Sequence, residues 1–261
     1  MAKICPLFSG SKANSTYIEC SSGGILVDAG SSFKALKESL INIGGEINNI
    51  KAIFVTHEHT DHIKCLSTLL KSLKIPLICS KGTLNELIAA GKVPDGIETI
   101  CDKKEIFIDD IKATRFSTSH DASESSGYTF TLPTGEKVGI CTDLGIVTDE
   151  VRSSLTGVNT LLFESNHDVE MLRRGPYTPE LKLRILSDKG HLSNNACAAE
   201  LKYFIKNGTT RFILGHLSQQ NNLPTLAQSA TRAALMDIGA IENRDYLLSI
   251  AKPSDNEVIY I

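Results

Sequence analysis

The chain has 261 residues and a formal net charge of −3. This balance excludes a global basic footprint, so any contact with nucleic acid must come from a local patch. Hydrophobic residues make up 41% and charged residues 22%, which is ordinary for a globular protein, and no apolar run approaches the roughly 18 residues of a membrane-spanning helix.

In chain order, Lys3 to Phe8 reads as a strand. Ser15 to Cys20 and Ile25 to Asp28 read as a hairpin about Ser21 to Gly24. Between strand and hairpin, the small polar run Ser9 to Asn14 is either a plain turn or a close backbone approach to a ligand. Ser31 or Ser32 caps a helix that runs through Ile43 and stops at Gly44-Gly45. Lys51 to Val55 is a strand, and Ile63 to Leu73 has a helical pattern. Ile75 to Cys79 is a strand and Thr83 to Ala90 a helix. Residues 97–118 carry short strand-like alternations that lead to His120. Gly127 to Leu132 and Lys137 to Cys141 form a second hairpin. Thr160 to Phe163 is apolar and ends in Glu164. Residues 171–190 form a polar, basic loop containing Arg173, Arg174, Lys182, Arg184 and Lys189. A helix follows from about Asn194 to Lys206, then a strand from Arg211 to Leu214, a helix from Pro224 to Ile238, and strands at 246–250 and 257–261. The alternation argues for one α/β or α+β domain over residues 1–261. Seven cysteines without a C-x-x-C pair, and an N-terminus without a signal-peptide pattern, fit reduced thiols in a cytoplasmic protein.

The densest chemistry lies at Thr56-His57-Glu58-His59-Thr60-Asp61-His62. His57 and His59 are two apart in an extended stretch and so point to the same side. Asp61 and His62 follow where the chain reverses, and approach from another direction. Imidazole and carboxylate together suit a borderline divalent metal. Four such donors here, with more downstream, point to two metals rather than one. His57, His120, Asp143, Glu164 and His216 each follow an apolar β run, which gathers them at one edge of a sheet.

Gly-His-Leu-Ser occurs at both 190–193 and 215–218, so His191 and His216 compete for the last metal position. His216 ends a strong apolar run and is assigned to metal. His191 opens a helix, with Ser193 or Asn194 near its N-cap, where anions are favoured. It is assigned to a substrate phosphate or leaving oxygen.

The H-x-H-x-D-H segment, followed by an isolated His, an isolated Asp and a final His, resembles the signature of the metallo-β-lactamase superfamily. That resemblance implies an α+β four-layer αββα sandwich. It implies one metal held by His57, His59 and His120, a second held by Asp61, His62 and His216, and Asp143 bridging the two. The metals would be zinc or manganese, with iron also allowed. The phosphoesterase branches show a similar Gly-His-hydroxyl motif with an upstream acidic residue, here Glu164, that orients the His. Within the superfamily, the chain is most similar to the bacterial YycJ/WalJ-like branch. That similarity rests on Ser9-Gly10-Ser11, Asn14-Ser15, Ser119 to Ala122, Gly127-Tyr128, Glu164 to Asp168, Gly190 to Asn194, and Gly215 to Ser218 with Asn221-Asn222.

The branch implies a metal-dependent nuclease acting on DNA from a 5′ end, with Asp61, His191 and Glu164 as catalytic residues. Asn14, His167, Ser193, Asn194, Arg173 and Arg174 become candidate substrate contacts, the two arginines as holders of flanking phosphates. Two alternatives stay open: hydrolysis of a small ester, thioester, lactam or cyclic phosphodiester, and an inactive DNA-binding module. Oligomeric state is not legible in the sequence.

Overall fold

The computed structural model describes residues 2–261. The first half of the chain runs β1 (Lys3–Phe8), β2 (Ser15–Cys20), β3 (Gly23–Val27), α1 (Phe33–Asn42), β4 (Ile50–Phe54), α2 (Thr60–Ile63), α3 (Leu66–Leu73), β5 (Leu77–Ile78), α4 (Lys81–Ala89) and β6 (Thr99–Ile100). The second half runs β7 (Glu105–Ile108), β8 (Ile111–Ser117), β9 (Ser126–Thr131), β10 (Lys137–Cys141), α5 (Asp149–Leu155), β11 (Thr160–Glu164), α6 (Val169–Arg174), α7 (Pro179–Ile185), α8 (Asn194–Lys206), β12 (Arg211–Gly215), α9 (Pro224–Met236), β13 (Leu247–Ile250) and β14 (Ile259–Tyr260).

Two sheets form, each seven-stranded among the described residues. Their orders are β14-β1-β2-β3-β4-β5-β6 and β13-β12-β11-β10-β9-β8-β7. Each has an antiparallel part, made by consecutive strands except that β14 returns to pair with β1, and a parallel part (β3 to β6, and β10 to β13) reached through helical crossovers. Residue alternation along a strand decides which layer each side chain joins. In β4, Ala52 and Phe54 enter the core between the sheets, whereas Ile53 packs outward with α1 and α3. In β12, Ile213 faces inward, and Phe212 and Leu214 face α8 and α9. Helix layers thus cover both outer faces, and the architecture is the four-layer αββα sandwich expected from the motif pattern.

Three local differences from the sequence reading have physical causes. The first hairpin turns on Ser21-Ser22, because Gly23 accepts a φ of 130° and begins the strand. The expected 63–73 helix starts earlier, at Thr60, and is broken at Lys64-Cys65 into α2 and α3. The stretch 171–190, read as a loop, contains α6 and the whole of α7. Asp168 caps α6 by accepting from the Met171 N–H, and Thr178 caps α7 by accepting from the Leu181 N–H, with Pro179 at its first position.

The parallel strands of both sheets end toward one edge. There the chain leaves β3, β10 and β12 through residues with positive φ: Asp28 (63°), Asp143 (60°) and His216 (55°). These sharp turns hold polar side chains at the strand ends instead of letting them run on with the strand.

Candidate metal centre

The turn after β4 is fixed by Asp28. Its Oδ1 accepts from the Thr56 N–H at 2.8 Å and its Oδ2 from the Thr56 hydroxyl at 2.9 Å. The same Oδ2 lies 2.8 Å from His62 Nδ1. His62 is therefore anchored through one ring nitrogen and presents Nε2 to the centre, 3.5 Å from both Asp61 Oδ2 and Asp143 Oδ2. Behind this turn, the Ala29 N–H donates to the His62 carbonyl at 2.7 Å and the Asn14 N–H to the Asp61 carbonyl at 2.8 Å. Gly30 permits that approach, since a Cβ there would stand 1.6 Å from the Asp61 carbonyl oxygen.

His57 lies with Nδ1 3.0 Å from the Thr56 hydroxyl. His59 Nδ1 is 3.4 Å from His120 Nε2. His120 is steadied from its other side, where Nδ1 lies 3.2 Å from the Gly190 carbonyl. The 188–190 segment reaches His120 because the Ser119 hydroxyl donates to the Asp188 carbonyl and the Asp121 N–H to the Lys189 carbonyl.

Glu164 closes the centre from the second sheet. Its Oε1 is 2.7 Å from His216 Nδ1 and 2.9 Å from His191 Nδ1, and its Oε2 accepts from the Leu192 and Leu144 N–H groups. His216 is held further by its own N–H, which donates to Ser9 Oγ, and by the Asn166 amide, which donates to its carbonyl.

The seven residues with metal-binding pattern come together in overlapping groups. His57, His59 and His120 form one, Asp61, His62 and His216 another, and His57, His62 and Asp143 a third; within each, the ligand atoms lie within 4.8 Å of one another. Asp143 stands between the groups, with Oδ1 3.9 Å from His120 Nε2 and 3.5 Å from His216 Nδ1. His57 Nε2, Asp143 Oδ2 and His216 Nε2 are buried and have no hydrogen-bond partner among the described residues. Buried polar atoms ordinarily have partners, so three converging orphans in an imidazole–carboxylate cage suit divalent metal ions. Glu164 also lies within 4.8 Å of Asp143, His191 and His216, but its carboxylate is occupied by four donors and serves as their support.

Burial drives the His57 pKa well below the ordinary value, and the neighbouring His62 and His120 add to it, so this ring is a neutral ligand in waiting. Burial lowers His120 as well, against the opposing Asp143 charge. His62 and His216 behave oppositely. Burial disfavours their protonation, but Asp28 and Asp143 outweigh it at His62, and Asp143 and Glu164 lift His216 to about 9. For Asp143 and Glu164, burial works against ionisation and the surrounding imidazoles overcome it, holding both carboxyls below their usual range.

A family model described as a beta-lactamase superfamily domain matches residues 24–217. The chain belongs to the metallo-β-lactamase superfamily. A superfamily protein named exodeoxyribonuclease YycJ, from Bacillus anthracis, is 37% identical over 241 residues, which cover 89% of each chain. Another, named exodeoxyribonuclease WalJ, from Streptococcus pneumoniae, is 36% identical over 243 residues, covering 91% of this chain and 90% of that one. The structure of zinc-bound PqqB from Methylobacterium extorquens superposes with a TM-score of 0.72 at 17% identity over the whole of both chains, which reports the shared metallo-β-lactamase fold.

Not every expected substrate contact is brought to the centre. Arg173 and Arg174 project from α6 into solvent and pair with Glu170 on the same helix, at 3.0 and 3.5 Å. Asn194 is buried and fully engaged with Ser165 and Asn222. Ser193 caps α8 by accepting from the Ala196 N–H. His167 is buried, its ring nitrogens lack partners among the described residues, and burial lowers its pKa to about 4. Asn14 does reach the centre, but as scaffold. Its amide clasps Gly10 from both sides and points Nδ2 at Asp61 Oδ2 and His62 Nε2, at 3.1 and 3.0 Å.

From the basic run it is Arg184 that approaches. Its Nε donates to Asp121 Oδ2, and Asp121 Oδ1 is 3.4 Å from His120 Nε2. Asp28, Ser9 and Asn166 were missed as supports. Asp28 carried the same signal as the ligands, a carboxylate at a strand end. Ser9 and Asn166 stood in motifs that carried the resemblance, but nothing local linked them to His216, 207 and 50 residues away.

Proposed function

We propose that this chain is a two-metal-dependent DNA exonuclease that removes nucleotides from a 5′ end in a cytoplasmic setting. The observation that carries the reading is Glu164 Oε1 held between His191 and His216, at 2.9 and 2.7 Å. One buried carboxylate thereby couples a metal-type imidazole to a partly buried imidazole at the opening of helix α8. The similarity to proteins named exodeoxyribonucleases over about nine-tenths of the chain supports DNA as substrate. The 5′ polarity rests on the branch resemblance. The seven free cysteines suit a reducing compartment, and among the described residues no helix is long and apolar enough to cross a membrane.

His57, His59 and His120 would hold one metal and Asp61, His62 and His216 the other, with Asp143 between them. Bound there, two divalent ions supply hydroxide at neutral pH by lowering the pKa of water from near 16 to roughly 7. Asp28 and Glu164 fix the tautomers of His62 and His216, as supporting carboxylates do around metal-ligating imidazoles. Burial opposes ionisation of Asp61, but the adjacent His62 keeps its carboxyl below the usual range, so it stands ionised as ligand and proton acceptor. His191 is anchored at Nδ1 and leaves Nε2 to carry a proton to the leaving oxygen. Arg184, with Nη1 and Nη2 free of hydrogen bonds among the described residues, offers a planar fork to a flanking phosphate.

The test is digestion of DNA duplexes labelled at the 5′ or the 3′ end, with manganese and then with zinc, beside Asp143→Ala protein. Loss of the 5′ label as mononucleotide, dependent on metal and absent from the variant, is the expected result. Intact DNA in the presence of fully metallated wild type refutes the nuclease reading.

A further inference from the structure

A cavity of about 240 Å³ lies between the end of β13 and the start of α9, with Ser9 and Leu217 in its wall. Strands β12 and β13 pair in parallel, with Leu214 opposite Ile250. Residues 250–253 therefore emerge at the same sheet edge as His216, one strand spacing of roughly 4.8 Å away. Ser9, which accepts from the His216 N–H at 2.8 Å, is a wall of this cavity, and so is Leu217, the next residue in the chain. Ser9 and Leu217 thus tie the cavity wall to the backbone of His216.

The lining is mostly apolar, with a few polar groups among the hydrocarbon. Leu217, Leu223, Pro224 and Pro253 supply flat hydrocarbon, and Leu223 is 50% exposed. Polar groups stand at Ser9, Ser218 and Gln219. The Ser218 oxygen accepts from the Asn221 N–H at 3.1 Å, which leaves its hydroxyl proton free to donate. The Gln219 amide makes no hydrogen bond among the described residues and offers donor and acceptor together. Lys252 lines the same cavity, is exposed, and takes part in no ion pair among the described residues.

We infer that this cavity is a base subsite, which seats the nucleobase of the nucleotide next to the one being cut. This rests on the nuclease reading of the centre. A planar heterocycle presents two apolar faces and a polar edge, and the leucine and proline side chains together with the Gln219 and Ser218 groups supply both kinds of contact. The phosphate joined to that nucleotide carries the charge that Lys252 complements. Apolar contact on the ring faces is tolerant of base identity, so the subsite distinguishes a nucleotide from a bare sugar phosphate and not one base from another. The volume is at the small end for ligand sites and suits one ring system.

The chain contains no tryptophan, so Leu223→Trp installs a single reporter at the cavity mouth, on a half-exposed side chain whose replacement spares the core. The zinc-loaded full-length variant is titrated with thymidine 5′-monophosphate and with deoxyribose 5-phosphate, and its fluorescence is followed. Saturable quenching by the nucleotide, with the sugar phosphate bound roughly tenfold more weakly or without quenching, is expected. Adding Lys252→Ala weakens both ligands by a similar factor. Equal affinity for both ligands, or equal saturable quenching of a Met236→Trp control on the far end of α9, overturns the subsite. Duplex digestion by wild type is scored separately. Digestion without base-dependent quenching removes the subsite alone, whereas quenching without digestion removes the nuclease reading.

Discussion

The Glu164 carboxylate and the His216 imidazole, both buried, face each other across 2.7 Å, and the same oxygen serves His191. Glu164→Gln turns one acceptor oxygen into a donor, so the side chain cannot accept both from the two rings and from the Leu144 and Leu192 N–H groups. In the proposed roles His216 holds metal and His191 serves the leaving oxygen, so the two consequences are separable. Glu164→Gln is expected to lower both metal affinity and activity, each by about 10- to 100-fold. His191→Ala is expected to keep its metals and lose turnover. Chelator competition and steady-state cleavage assays on the two variants check this, and a Glu164→Gln protein with unchanged metal affinity would remove Glu164 as support of His216.

That pairing also shows where sequence reading reached and where it stopped. His57, His120, Asp143, Glu164 and His216 were legible as one site because a strand end is a local property, visible as an apolar run followed by a polar residue. The alternation of strands and helices gave only an α/β or α+β domain, and the αββα layering came from the motif resemblance. Partnerships across the fold were not. Asp28 meets His62 34 residues away, and the second hydrogen bond of Glu164 spans 52 residues. The basic run was misjudged for a different reason. Its charge was counted without its helical register, although Glu170, Arg173 and Arg174 stand at the i, i+3 and i+4 spacing that pairs them on one helix face. Asn194 looked like a substrate contact because its partners, Ser165 and Asn222, come from other segments of the chain.

The arginines give a direct comparison. Arg173 and Arg174 are exposed and tied to Glu170, so Arg173→Ala with Arg174→Ala is expected to leave cleavage within about twofold of wild type, in keeping with the small worth of surface ion pairs. Arg184 is tied to Asp121 beside His120. Arg184→Ala is expected to raise KM for DNA roughly tenfold with little change in kcat, and to reduce the salt dependence of binding by about one phosphate contact. Arg184→Lys should recover only part of this, since a lysine lacks the fork. Binding isotherms across a salt series decide it, and an unchanged slope for Arg184→Ala would exclude this residue from the DNA path.

Gly30 provides a test that no substrate enters. A methyl group there collides with the Asp61 carbonyl, at 1.6 Å, and approaches the Asn14 nitrogen at 2.7 Å. Neither is a movable side-chain tip, so the Asn14 loop and the His59–His62 turn must separate. Gly30→Ala is expected to cost about 4 kcal/mol, the upper end for a single substitution, and to deplete bound metal in whatever protein still folds. Denaturant unfolding with metal analysis measures both. A variant with wild-type stability and metal content would show that the close approach is dispensable.

Acid and base should act on the centre in opposite ways with and without metal. In the metal-free protein, His216 holds its proton up to about 9, because Asp143 and Glu164 outweigh the burial that disfavours it. A folded-state value raised above the unfolded one contributes stability that is fully present below about pH 6.5 and is lost as pH rises through 9. The partner carboxyls, held below their usual range, contribute stability that is lost as pH falls through their depressed folded values. The metal-free fold should therefore melt highest near neutrality and weaken on the alkaline side. Metal occupancy needs neutral imidazole, so binding must expel this proton, and the raised His62 adds a second. Apparent metal affinity is accordingly expected to climb about tenfold per pH unit for each proton displaced, up to about pH 9 where His216 is already neutral. Calorimetric titrations of zinc in buffers of different ionisation enthalpy count the protons released. Release of one to two protons at pH 7, with the His216 share falling toward zero above pH 9, is the expected course. A pH-independent affinity between 7 and 9 would mean that neither His62 nor His216 carries the proton expected of it in the metal-free protein.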